Sequence, residues 1–265
     1  MSKNQAAKQH EELPAVREAV PPPVAHQDLS QVMAESGVTA SDIVIPKLLL
    51  MQNTSELVGD EKAKLGDIIN SETNEVLGGL DKPVLFIPIK SFKTWQVMDM
   101  SGKQAEFLRS EPVTSKNEKL PWEDMENGKP IRRDMCMNFL GLLAADVEKD
   151  EAFPVVVRFK RTSTGAGKQL ATTMYKMAVL GRTVYSQVVA LSVRKDKFES
   201  NTYALFELTK GRVATGKEHD AAREWTLRLK SITPVIREDA SEEAPQPGAA
   251  PAPTVVGASA GPDIF

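Results

Sequence analysis

The sequence predicts a mainly β domain with a few α-helices, an α+β chain flanked by two disordered arms. Three observations carry that expectation. Period-2 alternation of β-branched and aromatic residues dominates the middle of the chain, the pattern of half-buried strands. A helical apolar period replaces it in two stretches, 168–180 and 217–230. Both ends shift toward Pro, Ala, Gly and scattered polar residues, which bury too little apolar surface to offset the entropy of ordering.

These shifts set the expected boundaries. Residues 1–40 form an N-terminal arm containing Pro21, Pro22 and Pro23, with one short helix around Leu29 to Glu35. Residues 41–236 form the domain, and residues 237–265 a disordered acidic tail. Inside the domain, residues 101–131 read as an inserted loop, punctuated by Pro112, Pro121, Gly128 and Pro130.

The elements follow in order. Gly66 to Gly78 reads as two short strands about a polar turn, and Pro83 to Val97 as one long strand. Pro88 has no N–H to give a ladder, so it marks an edge or a bulge. Met135 to Ala145 and Phe153 to Arg161 resume as strands. Thr162 to Gly167 supplies hydroxyls suited to an N-cap, and Leu170, Met174, Met177 and Ala178 then recur at helical spacing. Val184 to Val193 and Thr202 to Thr209 are two further strands joined by the charged turn Arg194 to Asn201, and Lys217 to Lys230 is an amphipathic helix. Strand-strand-strand-helix-strand-strand is the order of an OB-fold, a Greek-key barrel with a helix between its third and fourth strands. The expected architecture is thus an elaborated OB-like barrel, with Phe159, Phe206, Trp225 and Cys136 in its core.

Composition excludes several classes of function. The longest apolar run, Ile43 to Leu50, is interrupted by Pro46 and Lys47 and falls short of the roughly 20 residues of a membrane span. No apolar stretch follows Met1 to Gln5, so no secretory signal and a cytoplasmic location are expected. A single cysteine allows no internal disulfide, and with three histidines a structural zinc site is not expected. Gly165-Ala-Gly-Lys168 imitates the end of a phosphate loop but lacks its first glycine, where Thr162 stands, and its hydroxyl residue, where Gln169 stands. A turn that grips one nucleic-acid phosphate through Lys168 and backbone amides is the reading kept beside a plain helix start. No pattern frames a nucleophile or a metal, so neither an enzyme nor a cofactor is expected.

Charge is what remains. The net charge is only −3, but Phe153 to Lys230 holds fifteen bases against six acids, an excess of nine, and beyond Arg237 five acids stand with no base. All three tyrosines, Tyr175, Tyr185 and Tyr203, fall in the basic segment. Phosphates pair with Lys and Arg, and exposed bases stack on rings, so this mixture suits single-stranded nucleic acid. On the first long strand the candidates are Lys90, Phe92, Lys93 and Trp95; on the third, Arg158, Lys160 and Arg161. Alternation places Val155, Val157 and Phe159 on one face of that strand and Arg158 and Lys160 on the other, toward solvent or ligand. Lys168, Tyr175 and Lys176 lie on the helix, Arg182 and Tyr185 follow it, and Arg194, Lys195, Lys197 and Tyr203 surround the last hairpin.

A basic barrel, a Pro/Ala/Gly-rich linker and an acidic end closing on Pro262, Asp263, Ile264 and Phe265 resemble the single-stranded DNA-binding proteins of bacteria and their phages. The resemblance implies that Phe265 anchors in a pocket of replication or recombination proteins, with Ile264 as apolar neighbour and Asp263 as acidic element. The chain departs from that pattern in having one acid at its tip and Pro262 ahead of Asp263 rather than directly before Phe265. Ile45 to Leu50, Gly66 to Asn70 and Phe159 to Leu170 also look like proteins from tailed-phage replication and recombination regions. The expected function is sequence-independent single-stranded DNA binding in phage replication or recombination, in the host cytoplasm. A strand-annealing or mediator protein, which would form homo-oligomers, and a phage structural or adaptor protein are the alternatives.

Overall fold

A computed structural model describes residues 35–37, 44–103 and 105–229. Most of the N-terminal arm and the whole acidic tail, with Asp263, Ile264 and Phe265, lie outside the described residues. The elements are β1 (Lys47–Leu50), α1 (Glu56–Gly59), β2 (Ile68–Asn70), β3 (Val76–Gly78), β4 (Val84–Asp99), β5 (Glu106–Pro112), β6 (Glu123–Glu126), β7 (Lys129–Leu143), α2 (Ala144–Glu148), β8 (Val155–Lys160), α3 (Thr164–Val179), β9 (Gln187–Phe198), β10 (Asn201–Val213) and α4 (Gly216–Arg228). The protein is mainly β, with one mixed sheet.

That sheet runs β10-β9-β4-β7-β8-β1-β2-β3, with β5 added to β4 and β6 to β7. β4, β7 and β8 form an antiparallel meander, α3 follows β8, and β9 returns to pair with the start of β4. β1 joins β8 in parallel. The register of β4 against β7 slips between Pro88 and Lys90, where proline removes a ladder donor. Opposite this bulge Gly141 is required, since a Cβ there would stand 2.2 Å from the Ile87 carbonyl oxygen.

The sheet curls around one apolar cluster. Phe139 and Phe159 meet edge to face at 5.5 Å, and Phe159 and Phe206 at 5.4 Å, a geometry that aligns ring edges with ring faces. Leu48 of β1 and Val157 of β8 share this cluster with Val193 of β9 and Ala204 of β10, from the opposite end of the strand order. Leu170 and Met174 of α3 fill it from below. Gly167 lets the helix approach, because a Cβ there would lie 2.9 Å from Phe159 Cβ.

Where β10 meets the chain after β1 and β8, side chains replace a ladder. The Gln52 amide accepts from Ala204 N–H at 3.0 Å and donates to the Ala204 carbonyl at 2.9 Å. Asn53 donates to the Thr202 carbonyl, and Ser163 accepts from Phe206 N–H.

On the opposite face of the sheet, α2 and α4 cover Ile87, Leu142 and Val188, while Leu229 and Trp225 reach Leu140 and Val156. α4 starts with a capping box between Thr215 and Glu218, and Arg212 grips the Glu218 carboxylate with both terminal nitrogens at 2.6 Å. That hydrogen bonding, outweighing burial, holds the Glu218 carboxyl below its usual range.

Two expectations are corrected. Residues 101–131, read as a loop, contain β5 and β6, because β4 and β7 extend together as a ribbon whose outer edges each take a further strand. Arg194, Lys195 and Lys197, assigned to a turn, lie within β9, and only Glu199 and Ser200 turn the chain between Phe198 and Asn201. Among the described residues no helix is long and apolar enough to cross a membrane.

Candidate nucleic-acid interface

Directly paired residues of neighbouring strands share a face, so the register defines what lies outside the meander. Phe92 pairs with Asn138 and Asn138 with Arg158; Thr94 pairs with Cys136 and Cys136 with Lys160; Gln96 pairs with Asp134. Lys90, opposite Leu140, joins the same row. The apolar part of this face is covered by α4, and a polar, cationic stripe continues beyond it.

The stripe is cross-linked. Arg158 donates to the Asn138 carbonyl oxygen at 2.9 Å, and Asn138 donates to Thr94 Oγ1 at 3.0 Å. Lys160 and the Cys136 thiol both donate to Gln96 Oε1 at 3.3 Å, and Arg158, Lys160, Gln96 and Cys136 hold further partners. At the far end Arg161 donates to Asp134 Oδ2 from Nε and Nη2, at 3.1 and 2.6 Å. Arg132 donates to the same oxygen at 3.1 Å, and Trp122 Nε1 donates to Oδ1 at 3.2 Å. The Arg132 guanidinium also lies 5.9 Å from the Trp122 ring centre, within cation–π range.

Asp134 organises this end. Its side chain is 2% exposed, and burial pushes its carboxyl upward, but the charges and hydrogen bonds of Arg161 and Arg132 outweigh that and leave it below its usual value. Arg161 adopts φ +49°, a left-handed backbone that costs an ordinary residue roughly 1–2 kcal/mol. The two bonds to Asp134 hold it there.

The remaining sequence-derived candidates do not converge on this stripe. Lys93 and Trp95 point to the other side of β4: Lys93 pairs with Glu118 at 3.3 Å, and Trp95, 5% exposed, donates its indole N–H to the Asn117 carbonyl. Tyr185 is also buried, in a short turn, with its ring 4.9 Å from that of His219. Neither ring is open to a base. Lys168, Tyr175 and Lys176 are exposed on α3, where Tyr175 is 70% exposed beside Val179 and Leu180. The turn Gly165 to Lys168 is the first turn of that helix, its Gly167 packed on Phe159. Arg182 is exposed beyond the helix, and Arg194, Lys195 and Lys197 occupy the far half of β9 opposite Tyr203, itself half-buried. Phe92 is half-buried on the stripe and Lys90 exposed beside it.

Arg132, Trp122, Asp134, Asn138 and Gln96 were not among those candidates. Alternation along β7 is the signal that finds three of them, since positions 132, 134, 136 and 138 share the parity that meets Arg158 and Lys160 across the ladder. No curated protein and no solved structure matches the chain. A family model matches residues 14–233, and the chain belongs to the Pam3 phage gp34-like family.

Proposed function

We propose that this protein binds single-stranded DNA without strong sequence preference, as a non-enzymatic component of phage DNA replication or recombination. The observation that carries the reading is the row of cations Lys160, Arg161 and Arg132, with Arg158 buried behind it, along β7, β8 and the turn after β8, where Asp134 lies among them and Glu123 faces Arg132 across the ladder. Placed on a single sheet face beside Phe92 and Trp122, they combine charge for phosphates with rings for bases.

The topology supports an OB-like barrel reading. β4, β7, β8, β9 and β10 follow the order of the five barrel strands, with α3 between the third and fourth and β9 returning to β4. OB-folds carry oligonucleotides on strands 2 and 3 and on the loops joining strands 1–2 and 4–5. In this chain those places are β7 and β8, the connection holding β5, Trp122 and β6, and the β9–β10 hairpin with Arg194, Lys195 and Lys197. The acidic tail, ending in Asp263, Ile264 and Phe265, recruits replication or recombination proteins in this reading.

Titration of the purified protein with fluorescent oligo(dT), a matching RNA and a duplex, each at two salt concentrations, tests it. Tight, salt-sensitive binding that favours oligo(dT) is the expected result, and removal of residues 239–265 should leave or raise that affinity at low salt. Absence of binding at low salt overturns the reading and leaves the stripe as a protein-contacting surface.

A further inference from the structure

Within the cationic stripe, one cluster has the parts of a site for a single nucleotide unit. Trp122 is 47% exposed and stands just before β6. Its indole N–H is fixed on Asp134 Oδ1, and Arg132 lies over the ring. Arg132 is fixed on the same carboxylate, which Arg161 also holds with two nitrogens. All three side chains are thus oriented by one buried acid.

Charge within the cluster does not balance. Two guanidinium groups share Asp134 Oδ2, and among the described residues no second carboxylate lies within ion-pair distance of either, Glu123 facing Arg132 across the ladder without reaching it. At contact distance one guanidinium charge is left over, and the Arg161 side chain is 29% exposed and that of Arg132 13%, so the Arg161 fork is the part that meets solvent most. An anion arriving there is attracted without first displacing Asp134. An aromatic ring gripped at its edge and backed by a guanidinium offers a flat surface for stacking, at small entropic cost because the ring is already oriented.

We propose that Trp122, Arg132 and Arg161, positioned by Asp134, form a nucleotide-binding unit in which a base stacks on Trp122 and an adjacent phosphate meets Arg161 and Arg132. This rests on the single-stranded DNA reading and names the residues that make its central contact. Asp134 is a positioning residue: it lowers the charge of the cluster by one, yet without it the ring and both forks lose their orientation.

The test follows intrinsic tryptophan fluorescence of the full chain during titration with oligo(dT). Trp95 is buried and Trp225 half-buried, so most of the quenching should come from Trp122. Trp122→Ala should abolish most of that quenching and weaken binding roughly 5- to 100-fold, with the melting temperature checked in parallel. Asp134→Asn keeps the shape of the side chain and removes its charge. If Asp134 positions, this variant weakens oligo(dT) binding and reduces quenching although the net charge has become more favourable for DNA. Equal or tighter binding by Asp134→Asn would show that the acid merely competes with phosphate, and would overturn the proposal. So would unchanged affinity and quenching in Trp122→Ala while the parent protein binds oligo(dT). A parent protein that fails to bind at low salt removes the DNA reading itself, an outcome separable from the other two.

Discussion

The two faces of β7 and β8 differ in every respect except backbone. Toward the inside, Met137, Phe139, Val157 and Phe159 pack into one apolar cluster. One residue over, Asn138, Cys136, Arg158 and Lys160 look outward and are tied to Thr94 and Gln96 by directed hydrogen bonds. The inner face draws its stability from area removed from water, which is indifferent to direction. The outer face carries buried charge that is tolerable only while each polar group keeps a partner. A strand of period 2 lets one short sequence meet both demands, and the two faces should fail in different ways.

The largest effect is expected from the inner face. Phe159→Ala removes the ring that contacts both Phe139 and Phe206 and should cost about 3–5 kcal/mol of unfolding free energy, read as a lowered denaturant midpoint. A loss under about 1 kcal/mol would mean that the cluster refills the cavity and is less tightly packed than the ring geometry implies. Asp134→Ala comes next, at about 2–3 kcal/mol; this is below the roughly 3–5 expected of a fully enclosed pair because Arg161 keeps contact with water.

Acid sharpens the contrast. The Asp134 carboxyl sits below its ordinary range in the folded protein, so its stabilisation is complete above the unfolded value of about 3.9 and is lost as pH falls through the lower folded value. Glu218 behaves in the same sense, through Arg212. Thermal melts taken from pH 6 downward, at values chosen about half a unit apart, should show a steeper loss of stability in the parent than in Asp134→Asn. Parallel curves would mean that Asp134 contributes little to the acid limb.

The smallest effect tests cations that have no such framework. Lys168 and Lys176 stand in solvent on α3, so Lys168→Ala and Lys176→Ala should change stability by less than about 0.5 kcal/mol. If DNA passes over α3, each should reduce the salt slope of oligo(dT) binding by about one. An unchanged slope would confine binding to the sheet face.

Much of this contrast was legible beforehand. The alternation of Val155, Val157 and Phe159 against Arg158 and Lys160 separates the two faces of β8, although Arg158, expected toward solvent or ligand, is buried against Asn138, and Pro88 marks the bulge that the register displays. The expected strand-helix order recurs in β4, β7, β8, α3, β9 and β10, with β5, β6 and α2 set between them. The ribbon was not legible. Glu123 to Glu126 has no apolar period and β5 alternates weakly, so their strand character comes from the ladders of β4 and β7. Trp95 and Trp122 show a second limit. A bulge changes the parity of a strand, and Trp95 shares parity with Lys93, away from the stripe, while the site-facing indole comes from the segment read as a loop. Tyr185, in a short turn without periodicity, offered no clue to its burial.

Gln52 gives the molecule one further property. Where a neighbouring strand would have shared the load among many backbone pairs, a single carboxamide holds Ala204 by both its N–H and its carbonyl. The union of β10 with the chain after β1 and β8 is therefore written in a few side chains, Gln52 with Asn53 and Ser163, rather than in a ladder. Inheritance can loosen or tighten that clasp by a single substitution while every strand on either side stays as it is.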